Sequence, residues 1–173
     1  MNPPWTRPLP LHELGRGPVT LELEPSPEER VAIARSLALK SLPALSARIT
    51  VRPWFDGVEL SGGFQATVEQ VCGVSLDPFE QTVEGEIEVR AVPAGSPHAA
   101  DAEGGEVELD LEAPDPPDVL EGDSIDVAAY VLEYFALAIN PFPRKPGVEF
   151  EFTPPAEEES PFAVLRKLKD SGG

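Results

Sequence analysis

Alternation of apolar and polar residues predicts an antiparallel meander through the middle of the chain. Strands with one buried face are expected over 18–24 and over 47–60, where the Asp56-Gly57 turn interrupts the pattern. Further strands are expected over 64–74 and 83–90, and glutamates alternate with apolar residues in the second of these. The outer face of the predicted sheet is therefore acidic.

Short breaks and further strands complete the pattern. Ser61-Gly62-Gly63 predicts a bulge or bend in the sheet. Residues 93–105 are rich in proline, glycine and alanine, so we expect a mobile loop. Alternation predicts two more strands, over 107–111 and 148–152, and residues 154–160 are expected to form a linker.

A first helix is predicted after the first strand. Ser26 is a suitable cap, Pro27 takes the first helical position, and Glu29 completes a capping box. We expect this helix to run to about Lys40 and to be stopped by Pro43. The residues expected along its apolar face are Val31, Ala34, Ala38 and Leu42.

A second helix is predicted over Ile125–Asn140, where Asp123 or Ser124 caps it and Asn140-Pro141 ends it. Asp126 then lies in the first turn, where the helix dipole favours negative charge. The helix is apolar nearly all round, so it is either buried on most faces or covered by a partner. A short helix with a basic tail is expected from Ser160 onward.

These elements indicate one α+β domain over residues 1–173. We expect an antiparallel sheet, either open or curled toward a barrel, with two main helices packed on it and a short C-terminal helix. The 21 prolines are scattered among patterned segments, so we expect them to lie in the loops and turns between the elements.

Charge narrows the possible partners. The formal net charge is -18; residues 1–57 hold seven basic and six acidic side chains, whereas residues 58–173 hold six and twenty-five. Free nucleic acid needs lysine and arginine to displace its counterions, so the acidic part favours a basic protein partner. The charge also has a simpler interpretation, which is that it keeps the protein soluble.

Targeting signals are not evident, and the single cysteine allows no internal disulfide. The first residues lack a basic stretch followed by an apolar run, and the longest apolar stretch is too short to span a bilayer. We therefore expect a cytoplasmic protein.

The sequence gives little support for an enzymatic function. Cys72 as a nucleophile needs a histidine, either His12 or His98, but its place on an apolar strand face favours a buried hydrophobic role. The cysteine and histidines are too few and too separated for a zinc site, so no metal or other cofactor is expected. An alternative interpretation uses Asp115, Asp118 and Asp126 for a metal-dependent nuclease.

Two motifs are candidates for binding. Trp54 and Phe55 end a strand that carries Arg48 and Arg52, but an ordinary solvated strand face is the favoured interpretation of this patch. The other motif is a stiff segment after the second helix, which is either a turn that ends the helix or a rigid binding motif. Its residues are Pro141, Phe142, Pro143, Arg144, Lys145 and Pro146.

Four blocks in this order resemble the YceD-like family, a bacterial and chloroplast domain named for large ribosomal RNA subunit accumulation. They span about residues 45–170, and the Pro-Arg-Lys version resembles the alphaproteobacterial branch. The blocks are Val71-Cys72-Gly73-Val74-Ser75-Leu76-Asp77-Pro78-Phe79, Asp115-Pro116-Pro117, Ile125-Asp126 through Glu133 to Asn140-Pro141-Phe142-Pro143-Arg144-Lys145-Pro146-Gly147, and Ser160-Pro161-Phe162-Ala163-Val164-Leu165-Arg166-Lys167-Leu168-Lys169.

The resemblance implies a non-enzymatic ribosome-biogenesis factor that binds a basic ribosomal protein or assembly factor. The binding residues it suggests are Asp126, Glu133 and the segment Pro141–Pro146. Many members carry a second cysteine three positions after the first, but Ser75 stands there in this chain, so no metal site is carried over. A third interpretation is an acidic holdase, which binds basic client proteins. The sequence does not decide whether the protein contacts RNA directly.

Overall fold

The structure is a computed structural model that describes residues 3–99 and 116–150. Its described strands form one five-stranded sheet and one two-stranded ribbon, and two α-helices accompany them. In chain order the elements are β1 (Pro8–Pro10), a 3-10 helix (Leu11–Arg16), β2 (Val19–Leu23), α1 (Pro27–Ser36), β3 (Ser41–Trp54), β4 (Gly57–Val71), β5 (Pro78–Pro93), β6 (Asp118–Leu120), β7 (Ser124–Asp126) and α2 (Val127–Ala138).

The main sheet has the order β2-β3-β4-β5-β6. Its first four strands form the predicted antiparallel meander, whereas β6 pairs with the end of β5 in parallel. The described strands leave β2 and β6 as open edges, so they do not form a barrel. The α+β class is confirmed in this coarse form, with a sheet that is mostly antiparallel.

One face of the sheet is buried and the other faces water. Ile49, Leu60 and Ile87 lie in adjacent strands and are 0–2% exposed, while alternate positions such as Arg48 and Glu84 are exposed. This burial follows the alternation in the sequence because successive strand residues point to opposite faces. Both helices join the same hydrophobic core.

Of the bulge or bend predicted at Ser61-Gly62-Gly63, the bulge is absent, since β4 pairs regularly through these residues. Glycine is needed at position 62 because the backbone of β3 comes close to it. A Cβ on Gly62 would lie 2.1 Å from the carbonyl oxygen of Arg48. The register between β3 and β4 shifts at Ser41/Ala44.

Helix α1 begins as predicted and ends earlier. The Ser26–Glu29 capping box is present, but the helix ends at Ser36 and Pro43 lies inside β3. Ala38 adopts a left-handed φ of 54°, and the Leu39 N–H donates to the Ala34 carbonyl at 2.9 Å. This turn ends the helix before the proline can.

The apolar face expected for α1 is also only partly correct. Ile33 and Ala34 are buried, whereas Val31 is 59% exposed. Ala38 and Leu42 lie outside the helix, because the chain has already turned toward β3.

Helix α2 packs its buried side on β5, and the Phe135 ring meets the edge of Phe64 with centroids 5.8 Å apart. Asp126, rather than Asp123 or Ser124, is the cap. Its carboxylate Oδ1 accepts from the N–H groups of Ala128 at 3.1 Å and of Ala129 at 3.3 Å. The cap therefore lies two to three positions later than predicted. Asp123, Ser124 and Asp126 are all residue types that cap helices, so the sequence alone did not distinguish between them.

Two short strands, β1 and β7, were not predicted. They pair antiparallel, with Leu9 opposite Ile125, and the Arg7 N–H donates to Asp126 Oδ1 at 2.8 Å. The first described residues are thereby attached to the start of α2. Each strand has only three residues, which is too short for alternation to be recognised.

The strand expected over 148–152 is absent from its described part, 148–150. Phe150 is 68% exposed and the Val148 N–H donates to the Lys145 carbonyl in a turn, so alternation here buries no face. The predicted strand 107–111, the linker 154–160 and the C-terminal helix lie outside the described residues. In residues 3–99 and 116–150, no helix has the length and apolar character that crossing a bilayer requires.

Candidate protein-binding site

The proline segment, residues 141–146, contacts the turn between β4 and β5. The Gly73 N–H donates to the Pro143 carbonyl at 2.9 Å, and the Gln70 amide donates to the Asn140 carbonyl at 3.2 Å. Lys145 Nζ lies 3.4 Å from the Asp77 carboxylate. Two of the blocks that carried the family resemblance therefore meet in space.

Cys72 lies at the centre of this contact and is completely buried. Its Sγ accepts from the backbone N–H groups of Val74, Ser75 and Lys145, each at 3.4 Å. Hydrogen bonds from the Ser75 hydroxyl and then from these backbone groups lower the pKa of the thiol to about 6, against the opposing effect of burial. Cys72 thus links the two segments.

Replacing Cys72 with alanine should destabilise the protein in a pH-dependent way. Folding lowers the thiol pKa from 9.0 to about 6, so the thiolate adds stability fully above the higher value and loses it as pH falls through the lower one. The advantage of the natural protein over Cys72→Ala should therefore grow between about pH 6 and pH 9. Urea unfolding across this range measures it, and a constant difference would contradict the prediction.

The histidines considered as partners for Cys72 lie elsewhere. His12 is in the 3-10 helix, and His98 stacks on Phe55 beyond the opposite end of β4 from Cys72. Among the described residues, no three His, Cys, Asp or Glu side chains come together as metal ligands. Asp126 is engaged as a helix cap, and Asp115 lies outside the described residues.

A groove of about 390 Å³ lies between β5, β6 and α2. We call it the acidic groove. Its charged and aromatic lining residues are Glu88, Arg90, Asp118, Tyr130, Glu133 and Tyr134, and Val89 and Pro116 complete the lining. Three carboxylates against one guanidinium give it a negative character, and the two tyrosines add aromatic surface.

Tyr130 is held firmly within this groove. Burial, then the negative charge of Asp118 and the hydrogen bond to it, then the charge of Glu133 raise the pKa of the phenol. The Tyr134 hydroxyl donates to the Glu88 carbonyl at 3.2 Å. The rings are therefore anchored by their hydroxyl groups.

The residues suggested for binding do not form one cluster. Glu133 lines the acidic groove, Asp126 caps the beginning of α2, and the proline segment follows its end. Their assignment to binding stays a prediction. Within the proline segment, Phe142 is 82% exposed and Arg144 is exposed as well. Leu137, near the end of α2, is 78% exposed.

Sequence reasoning missed Tyr130 and Tyr134 as groove residues. Tyr130 precedes Glu133 by three positions and Tyr134 by four, so all three side chains lie on neighbouring parts of the helix surface. That spacing is a signal present in the sequence, but the apolar composition of the helix predicts burial of these positions instead. The contribution of β6 was not foreseeable from its three residues.

The fold and groove define a mixed α/β protein with an acidic, tyrosine-containing surface cleft. The chain belongs to the YceD family, because residues 60–169 match the family model described as "Large ribosomal RNA subunit accumulation protein YceD". The family resemblance is thereby confirmed. No match was found among curated proteins or among solved structures.

Proposed function

We propose that this protein is a non-enzymatic ribosome-biogenesis factor of the cytoplasm that binds a basic ribosomal protein or assembly factor. The family description supports a role in accumulation of large-subunit ribosomal RNA. The acidic groove is the observation that carries the binding mechanism. It combines carboxylates with anchored aromatic rings on the strongly acidic part of the chain.

Charge complementarity favours a partner that itself binds RNA. Proteins that bind RNA carry lysine and arginine to neutralise phosphates, so before assembly they present unpaired positive charge. Asp118 and Glu133 can pair with such side chains, and the rings of Tyr130 and Tyr134 can accept cation–π contacts. The groove can cover a basic segment until RNA takes its place.

The proline segment supplies a second contact in this proposal. Prolines restrict its backbone, and Cys72 and Gly73 fix it against the sheet, so Phe142 and Arg144 are presented at little entropic cost. A partner that binds the groove along α2 can extend toward this segment.

Deleting the gene from the source organism tests the role. We expect less large-subunit ribosomal RNA and fewer large subunits, with small-subunit RNA less affected, and recovery when the natural gene is restored. Gradient sedimentation and RNA quantification measure both quantities. Unchanged large-subunit levels would contradict the role, and RNA cleavage by the pure protein with divalent metal would contradict its non-enzymatic character.

A further inference from the structure

The tip of the β3–β4 hairpin presents an aromatic ring at a conformational cost. Trp54 pairs with Gly57, so Phe55 and Asp56 form a two-residue turn. Phe55 adopts a φ of 49°, a left-handed conformation in which such turns favour glycine or asparagine. Nevertheless its side chain is 70% exposed, so burial of the ring does not offset this strain.

Neighbouring groups hold this ring in place. The His98 ring stacks on Phe55 with centroids 4.1 Å apart and planes 17° apart, and Trp54 meets Phe55 edge-on at 4.6 Å. The Ser96 hydroxyl donates to the Asp56 carboxylate at 2.9 Å. Part of the loop expected to be mobile therefore packs against the hairpin tip.

Two arginines flank the rings. The Arg90 guanidinium lies 5.4 Å from the centroid of Trp54, and Arg52 and Arg90 both bind the carboxylate of Glu59. The Glu59 side chain is only 3% exposed, whereas that of Arg52 is 57% exposed. One buried carboxylate thus orients two guanidinium groups. Arg90 also lies 4.0 Å from the Glu88 carboxylate, so Arg52 is the more exposed positive group of the cluster.

We propose that this hairpin-tip cluster binds single-stranded RNA. The cluster consists of Arg52, Trp54, Phe55, Arg90 and His98. Bases stack on exposed aromatic rings in a way that tolerates sequence, and arginines bind the phosphates between them. Arg52, whose side chain is 57% exposed, supplies a guanidinium for a phosphate on the same hairpin as the exposed Phe55 ring, and single-stranded RNA uses both kinds of contact.

The sequence alone favoured an ordinary strand face here. Arg48, which belonged to that interpretation, instead binds Glu22, while Arg90 and His98 come from a later strand and loop. The inference goes beyond the proposed function, since it concerns RNA. Arg90 lines the acidic groove as well, but Arg52 and Phe55 do not. Binding at one surface can be lost while binding at the other remains.

Fluorescence anisotropy with a labelled oligouridylate of about ten nucleotides tests the proposal, at low and at physiological salt. We expect the natural protein to bind it, to bind double-stranded RNA of the same length more weakly, and to lose affinity as salt rises. Phe55→Asn should weaken binding about tenfold by removing the stacking surface, while Phe55→Tyr should stay within about twofold.

Leu76→Asn is a matched control, because Leu76 is also 74% exposed and has a φ of 60°. Asparagine tolerates left-handed backbone, so both asparagine variants should fold at least as well as the natural protein. Leu76→Asn should leave RNA affinity unchanged. The proposal is overturned by absent binding at low salt, by equal affinity for duplex RNA, or by the same loss in both asparagine variants.

Discussion

Replacing Phe135 with alanine should lower the free energy of unfolding by about 4 kcal/mol. The Phe135 side chain is 0% exposed and contacts the edge of Phe64, which is 5% exposed. Alanine would leave a cavity at the place where α2 packs on the sheet. Because close-packed interiors relax only partly around a lost ring, the cost includes both lost burial and the cavity.

Leu137→Ala is the matched control for this prediction. Leu137 lies on the same helix but is 78% exposed, so its loss should change stability by no more than about 0.5 kcal/mol. Urea unfolding followed by circular dichroism measures both variants. Similar costs for the two substitutions would contradict the packing of α2 described above.

Reversing two charges in the acidic groove should strongly reduce capture of the partner. Asp118→Lys combined with Glu133→Lys replaces two attractive contacts by repulsive ones at the surface we assign to a basic protein. With roughly 1 kcal/mol for each contact, we expect a tenfold to hundredfold loss of affinity. Affinity purification from cell extract at two salt concentrations, followed by titration with the protein recovered, measures this loss.

Glu80→Lys combined with Glu84→Lys changes the net charge by the same amount elsewhere. Both glutamates are exposed on β5, and neither lines the acidic groove, whose residues on this strand begin at Glu88. This control should retain the partner within about twofold of the natural protein if the groove binds it. Equal losses in the two double variants would show that only overall charge matters, as expected for a holdase.

Strands with strong alternation were the most predictable part of the fold. Ile49, Val51 and Leu60 lie at period-two positions, so their common face followed directly from the sequence. The Ser26 cap was predictable for a similar reason, because its chemistry is local.

Features that depend on tertiary contacts were not predictable. Helix α1 ends at Ser36, just before the left-handed Ala38, and no local rule favours this end over the later Pro43. The short strands β1, β6 and β7 exist only because distant segments approach one another.

The binding surfaces show the same division between local and distant contacts. Glu133 belongs to a family block that is visible in the sequence, and the structure places it in the lining of the acidic groove. Its neighbours Asp118 and Glu88 come from other strands, so only folding brings them near. The RNA surface needed His98 and Arg90, whose distance from Phe55 along the chain concealed their contact.

Pairing of β1 with β7 has a consequence for synthesis of the protein on the ribosome. Leu9 finds its partner Ile125 more than one hundred residues later in the chain. At translation rates of about 5–20 residues per second, the first strand must wait roughly 5 to 25 s for it. The β3–β4 hairpin can form during that delay because its partners are close in sequence. The beginning of the chain is therefore expected to be among the last parts of the described structure to become protected from proteases.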